Sequence, residues 1–168
     1  MSSCEHCGRM LVPPAGPVDA KILLLADAPT RFDVKALTPW TSNIGDLLRS
    51  ELRRVRINYY DCRVTNMWRH AKHKECDVVF HLDAALAEME DREAIVLMGA
   101  NAVTYYTGKN VSDVSGLQVD AIGTTRNMVP PSVGRVYALF NPALATHGSL
   151  GEIRHGLEKI AGGIHGFT

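Results

Sequence analysis

Two stretches of the chain carry side chains that bind metals. The N-terminal "CEHC" sets Cys4 and Cys7 in a C-x-x-C spacing, and "NMWRHAKHKEC" brings His70, His73 and Cys76 together at the other. C-x-x-C is a compact chelate; thiolate and imidazole are common ligands of zinc, and thiolate is the usual ligand of iron–sulfur centres. The first residues show no apolar h-region, so the four cysteines favour metal binding or redox chemistry over a disulfide framework. Cys62 is the remaining thiol, inside the apolar run "CRVTN". The ordinary alternative is two surface thiols and two core ones.

The elements that must position these groups alternate between strand and helix. "KILLLADAP" from Lys21 is a solidly apolar run that predicts a buried strand ending near Asp27, suited to a parallel sheet covered on both faces. "NIGDLLRSELRRV" carries Ile44, Leu47, Leu48, Leu52 and Val55 at helical spacing, with Asn43 as a candidate N-cap. "NYYDCRVTNMW" predicts a second strand. "CDVVFHLDAALAEMED" predicts a helix whose inner face holds Val79, Leu82, Leu86 and Met89. "EAIVLMG" is a third strand, and "ANAVTYYTG" a helix bounded by Gly99 and Gly108. "GRVYALFNP" is a fourth strand broken by Pro142, and "SLGEIRHGLEKIAGGI" a final helix with Ile153, Leu157 and Ile160 on one face. The pattern predicts an α/β fold, a three-layer αβα sandwich around a mainly parallel four-stranded sheet. Ligands of such sheets bind beyond the carboxyl ends of the strands, which directs attention to "ADAPT", "TNMWRH", "GANA" and "FNPALATHG".

Bulk composition bounds the rest. A chain of 168 residues suits one domain, here 1–168 with residues 1–20 as a ligand-bearing N-terminal arm. Lys plus Arg balance Asp plus Glu at 18 each, so the whole molecule carries no electrostatic footprint for nucleic acid and any polyanion site must be local. No apolar run approaches the ~20 residues of a membrane span. A cytoplasmic, monomeric protein without membrane contact is the expectation.

The order of these motifs resembles the uracil-DNA glycosylase superfamily, closest to its iron–sulfur (family 4) branch, and the compactness is in keeping with a phage-type member. That branch has an N-terminal C-x-x-C and a strand ending in G-E-A-P-G, against which "ADAPT" (Ala26 to Thr30) stands. P-F-V-G-R-x-G-x-L-L is matched by "PWTSNIGDLL", T-N-x-x-K-C by "TNMWRH", L-G-x-x-A by "MGANA" and H-P-A by "NPA". Departures are Asp27 for Glu, Trp40 for Phe, His70 for the third cysteine and Asn141 for His. The segment after His70 is also short.

The resemblance implies a role for each of these residues. Trp40 would be an aromatic floor under a flipped base, and Asn66 would read its edge, because a carboxamide offers both a donor and an acceptor. Ala26 and Ala28 would flank the base. Asp27 would orient or deprotonate water or stabilise charge on the sugar, and Asn141 would donate to the departing base. Each has a plainer reading: core Trp, strand-ending Asn, helix-capping Asp. Leu144 and His147 are candidates for a wedge filling the gap in the duplex. Arg69 and Lys72, with Lys74 and Arg53, could meet phosphates. Alignment puts Cys4, Cys7, His70 and Cys76 at the four ligand positions, with His73 and Cys62 as rivals for the fourth. It implies a 4Fe-4S cluster, although three thiolates and an imidazole also suit tetrahedral zinc. The function implied is removal of uracil from single- or double-stranded DNA in base excision repair. The alternative is a weak or inactive glycosylase-like module that binds DNA or a replication protein.

Overall fold

The computed structural model describes residues 1–120 and 129–166. Four strands, β1 (Ile22–Ala26), β2 (Arg63–Asn66), β3 (Ala94–Met98) and β4 (Arg135–Leu139), pair in parallel in the order β2-β1-β3-β4. Their side chains alternate between two cores. Leu23, Leu25, Ile95, Leu97, Val136 and Ala138 face one side, and Leu24, Ala26, Val64, Val96, Met98 and Leu139 the other. Both faces are covered, which is why β1 and β3 read as unbroken apolar runs rather than alternating ones.

On one face lie α2 (Asn43–Arg54) and α6 (Leu150–His165), which bury Leu48, Leu52, Ile153, Leu157 and Ile160. On the other lie α3 (Leu82–Met89), α4 (Ala100–Thr107) and α5 (Val111–Val114), with Leu82, Met89, Ala102, Val103, Tyr106 and Val114 turned inward. The predicted α/β sandwich is therefore present, with every strand of the sheet parallel. Register pairs Ala26 with Asn66 and Met98, and Met98 with Leu139. The carboxyl ends of all four strands are thus level, and the loops that leave them converge.

Several boundaries differ from the expectation. The second strand is only four residues long, because the Asn58 side chain accepts from Tyr60 N–H and closes a 3₁₀ turn over Tyr59–Asp61. The helix expected from Cys76 opens as a 3₁₀ turn over Val78–His81 under an Asp77 cap, and only then becomes α3. Its tighter winding buries Val78 and leaves Val79 at 48% exposure, opposite to the predicted face. α2 is preceded by Ser42 at the N-cap, so Asn43 is its first residue and not its cap. α1 (Arg31–Ala36), between "ADAPT" and Pro39, was not anticipated. It starts from a capping box in which Thr30 and Asp33 exchange hydrogen bonds. No described helix is long and apolar enough to cross a membrane.

Candidate functional site

The two cysteine-bearing segments meet at the edge of the sheet, beside β2. "CEHC" forms a tight turn in which Gly8 N–H donates to Cys4 O (2.8 Å) and Cys4 N–H to Arg9 O (2.7 Å). Gly8 turns the chain at φ 69°, a conformation that favours glycine. The second segment makes its own turn, with Cys76 N–H on His73 O and the Trp68 indole on Cys76 O. Val12 N–H on Arg69 O (2.6 Å) ties one segment to the other.

Together they place the ligand atoms of Cys4, Cys7, His70 and Cys76 within 4.8 Å of one another. Cys4 Sγ is 3.8 Å from Cys76 Sγ, and His70 Nε2 lies 3.4 Å from Cys7 Sγ and 3.3 Å from Cys76 Sγ. His70 is fully buried, and Cys4 and Cys76 nearly so. Burial opposes ionisation of Cys4, but hydrogen bonds from the His6 and Cys7 backbones and neighbouring thiols more than offset it and lower its pKa. This donor set can hold a metal. The rivals lie elsewhere: Cys62 is a core thiol donating to Asn58 O, pushed up to about 12 by burial, and His73 contacts Glu75. His81, which carried no spacing signal, lies against the site. Its Nε2 is 3.1 Å from His70 Nε2 and 3.6 Å from Cys76 Sγ. Burial first, and then the nearby His70, push its pKa down to about 4, so the ring is neutral near pH 7.

At the carboxyl ends of β1, β2 and β4 a small cavity of about 80 Å³ is lined by Ala26, Asp27, Ala28, Trp40, Asn66 and Asn141, with Thr30, Asp33, Ser42, Ile44 and Ala143. All six residues expected around a base share it. Asn66 ends β2 at 5% exposure, and its carboxamide makes no hydrogen bond to a described residue. Trp40 sits at φ 58°, an unfavourable backbone for a large side chain, and is held there from two sides. Arg49 donates to Trp40 O (3.0 Å), and α2 comes so close at Gly45 that a Cβ would lie 1.8 Å from that oxygen. The indole Nε1 is buried without a partner.

Asp33 is the residue that the sequence left unnoticed. It is buried, and one oxygen accepts from both Thr41 N–H and Thr41 Oγ1 (2.9 Å each) while the other accepts from Thr30 N–H. One carboxylate thus ties both ends of the segment that carries Trp40. The capping box T-x-x-D was its available signal.

Asp27 is held by the start of α4. Its Oδ1 accepts from Ala102 N–H (2.7 Å) and its Oδ2 from Asn101 N–H and Nδ2, at the N-terminus of α4. Gly99, at φ 111°, gives the carboxylate room, since a Cβ there would stand 2.8 Å from Oδ2. A carboxylate accepts about four hydrogen bonds, so three donors leave it one position toward the cavity. Asn141 caps the 3₁₀ turn Pro142–His147 by accepting from Ala143 N–H through Oδ1, which leaves Nδ2 without a described partner.

The expected DNA contacts are spread around these two sites. Leu144 (39% exposed) and His147 are on the outer side of that 3₁₀ turn. Lys72 is exposed, its ammonium 4.8 Å over the Trp68 ring, whereas Arg69 is half-buried with Nε enclosed and unpaired. Arg53 lies apart from both sites, in a depression of about 290 Å³ with Arg49, Arg56 and Tyr60.

No curated protein matches the chain. The family model of the uracil DNA glycosylase superfamily matches residues 13–153, a span that takes in all four strands and every residue lining the cavity, and the chain belongs to that superfamily.

Proposed function

We propose that the protein is a monofunctional uracil-DNA glycosylase, which flips uracil out of DNA and hydrolyses its N-glycosidic bond to leave an abasic site. One observation carries the reading: a single cavity collects the buried, unpaired Trp40 Nε1 with the Asn66 carboxamide and Asn141 Nδ2, neither of which has a partner among the described residues. A buried polar atom such as Trp40 Nε1 is nearly always paired, and with two carboxamides beside it the cavity is suited to a flat, polar ligand that completes the set. Superfamily membership supplies the ligand class, a nucleobase of DNA.

In this reading Trp40 stacks on the extruded base, and Asn66 donates to O4 and accepts from N3–H. Asn141 Nδ2 donates to O2 as negative charge leaves with the base. Asp27, fixed at the end of α4, uses its remaining acceptor position to orient water and offers negative charge to the cationic sugar. Leu144 and His147 supply the wedge for the vacated space in the stack, and Lys72 and Arg69 meet the flanking phosphates.

Incubation with a uracil-containing oligonucleotide followed by alkali tests the activity. Strand cleavage is expected. A gel shift without cleavage instead identifies a DNA-binding module. Asn66→Asp tests the reader: its carboxylate cannot donate to O4 but accepts from the N4 amino group of cytosine, so preference should move toward cytosine. Unchanged selectivity for uracil removes Asn66 from this role.

A further inference from the structure

The resemblance to the iron–sulfur branch implies a four-iron cluster at Cys4, Cys7, His70 and Cys76, and the donor geometry does not fit one. In a cubane each ligand binds a different iron, so the cluster's own width stands between them and thiolate sulfurs lie ~6 Å apart. A single tetrahedral ion with bonds of ~2.3 Å to sulfur and ~2.0 Å to nitrogen instead puts sulfurs ~3.8 Å apart and S–N pairs ~3.5 Å apart. Here the S–S pair Cys4–Cys76 measures 3.8 Å, the S–N pairs measure 3.4 and 3.3 Å, and no pair exceeds 4.8 Å.

A second imidazole stands close to the donors. His81 packs edge-on against His70, with ring centroids 4.6 Å apart, and its Nε2 stands beside the ligand atoms. The two turns that carry the donors are pinned by Val12 N–H to Arg69 O, Trp68 Nε1 to Cys76 O and His70 Nδ1 to Ala71 O.

The tautomer of His70 follows from that last contact. Nδ1 is 2.8 Å from the Ala71 carbonyl, which only accepts, so Nδ1 carries the proton and Nε2 presents its lone pair to the thiols. His81 Nε2 faces that lone pair at 3.1 Å. Once an ion takes it, the acceptor left to a His81 N–H is Cys76 Sγ, 3.6 Å away.

We infer that this site binds one structural Zn²⁺ through three thiolates and His70 Nε2, and that His81 supports it as a hydrogen-bond donor to Cys76. Three thiolates leave the zinc site one negative charge in excess, and an N–H directed at one of them offsets part of that charge in a buried place. The inference does not rest on uracil excision, because its readouts are the same in an active or an inactive protein.

Elemental analysis and optical spectra of protein produced with zinc and iron both supplied are the first test. Zinc at one per chain without absorption near 400 nm is expected. Iron near four per chain with matching labile sulfide overturns the inference, and so does the absence of both metals. Competition with a chromophoric chelator then separates the two histidines. His70→Cys should fold and keep one zinc, whereas His70→Ala should lose it. His81→Ala should keep the stoichiometry and bind ~10–100-fold more weakly. If His81→Ala loses zinc and His70→Ala retains it, the ligand assignment is wrong.

Discussion

The metal-ligand cluster and the strand-end cavity lie at the two ends of one loop, the segment that leaves β2 at Asn66 and returns at Cys76. Chemically they are opposites. In the first, three thiols and two imidazoles converge on each other in a space almost closed to water. In the second, amide and indole groups stand apart around a cavity and are not paired with each other. A set of donors that converges at coordination distance can be completed by one ion and then has no further capacity, so it can only hold the chain in place. Groups spread around a cavity need an extended, planar molecule to complete them, and that molecule must enter and leave. In the proposed reading the difference gives architecture to one site and recognition to the other, with the N-terminal arm serving a pocket it does not line.

Opening the closed site should have the largest effect. Changing Cys4 and Cys7 together to Ala removes the ion's contribution to the folded state, ~4 kcal/mol at a zinc concentration a thousandfold above its Kd. Urea denaturation should show that loss, and a smaller one for Cys62→Ser, whose thiol contacts no other cysteine. Equal losses would mean that the cluster has no special structural weight.

Next comes the open site. Asn141→Ala should lower single-turnover excision by roughly 10²–10³, or ~2.7–4 kcal/mol, with little loss of DNA binding, and Asn141→His should preserve or raise activity. Because Asn141 also caps the turn that follows it, Asn141→Asp provides the control, keeping the cap acceptor and removing the Nδ2 donor. Asp should therefore be as slow as Ala. If it excises at the wild-type rate, the cap matters and the donor does not.

A smaller effect belongs to the frame behind the cavity. Glu51 of α2 is buried and accepts from Arg154 of α6 at both oxygens and from Arg54. The hydrogen bond from Arg154, followed in weight by that from Arg54 and the charges of both arginines, outweighs burial and holds its pKa below the usual carboxylate value of 4.5. A depressed folded pKa means that this stability is fully present above about pH 4.5 and fades as pH falls below it. Glu51→Gln should cost ~1–3 kcal/mol at pH 7 and less in acid, flattening the stability profile below pH 4.5. A parallel downward shift at every pH would assign the loss to packing instead. Smallest is Lys72→Ala, which should weaken DNA binding uniformly across sequences and reduce the salt slope by ~1. No change in slope would place the Lys72 ammonium on Trp68 alone.

Much of this could be read before the fold was known. Unbroken apolar runs located β1 and β3, since a strand covered on both faces has no polar side. Heptad-like spacing located α2 and α6, and glycine boundaries located α4. C-x-x-C marked one half of the metal site because a chelate formed by near neighbours leaves a local trace. His81 left none, since its imidazole reaches the cluster only through the turn that starts α3. The strand expected at "NYYDC" failed because one asparagine side chain closes a turn on its own backbone, which outweighs the β propensity of two tyrosines.

The sequence alone determined the alternation of strands and helices, the position of the strand-end loops and the identities of the residues that reach them. These follow from periodicity and from side-chain chemistry, which act over a few residues. Tertiary structure decided what those residues are free to do. Asp27 is fixed by contact with Asn101 and Ala102, 74 and 75 positions away, at the N-terminus of α4. Trp40 takes a left-handed backbone only because Arg49 and the close approach at Gly45 impose it. The metal site was a list of thiols and imidazoles until distances between segments more than sixty residues apart gave it a size. Hydrogen-bond competition and coordination geometry are set by the nearest atoms in space, and only the packed fold says which atoms those are.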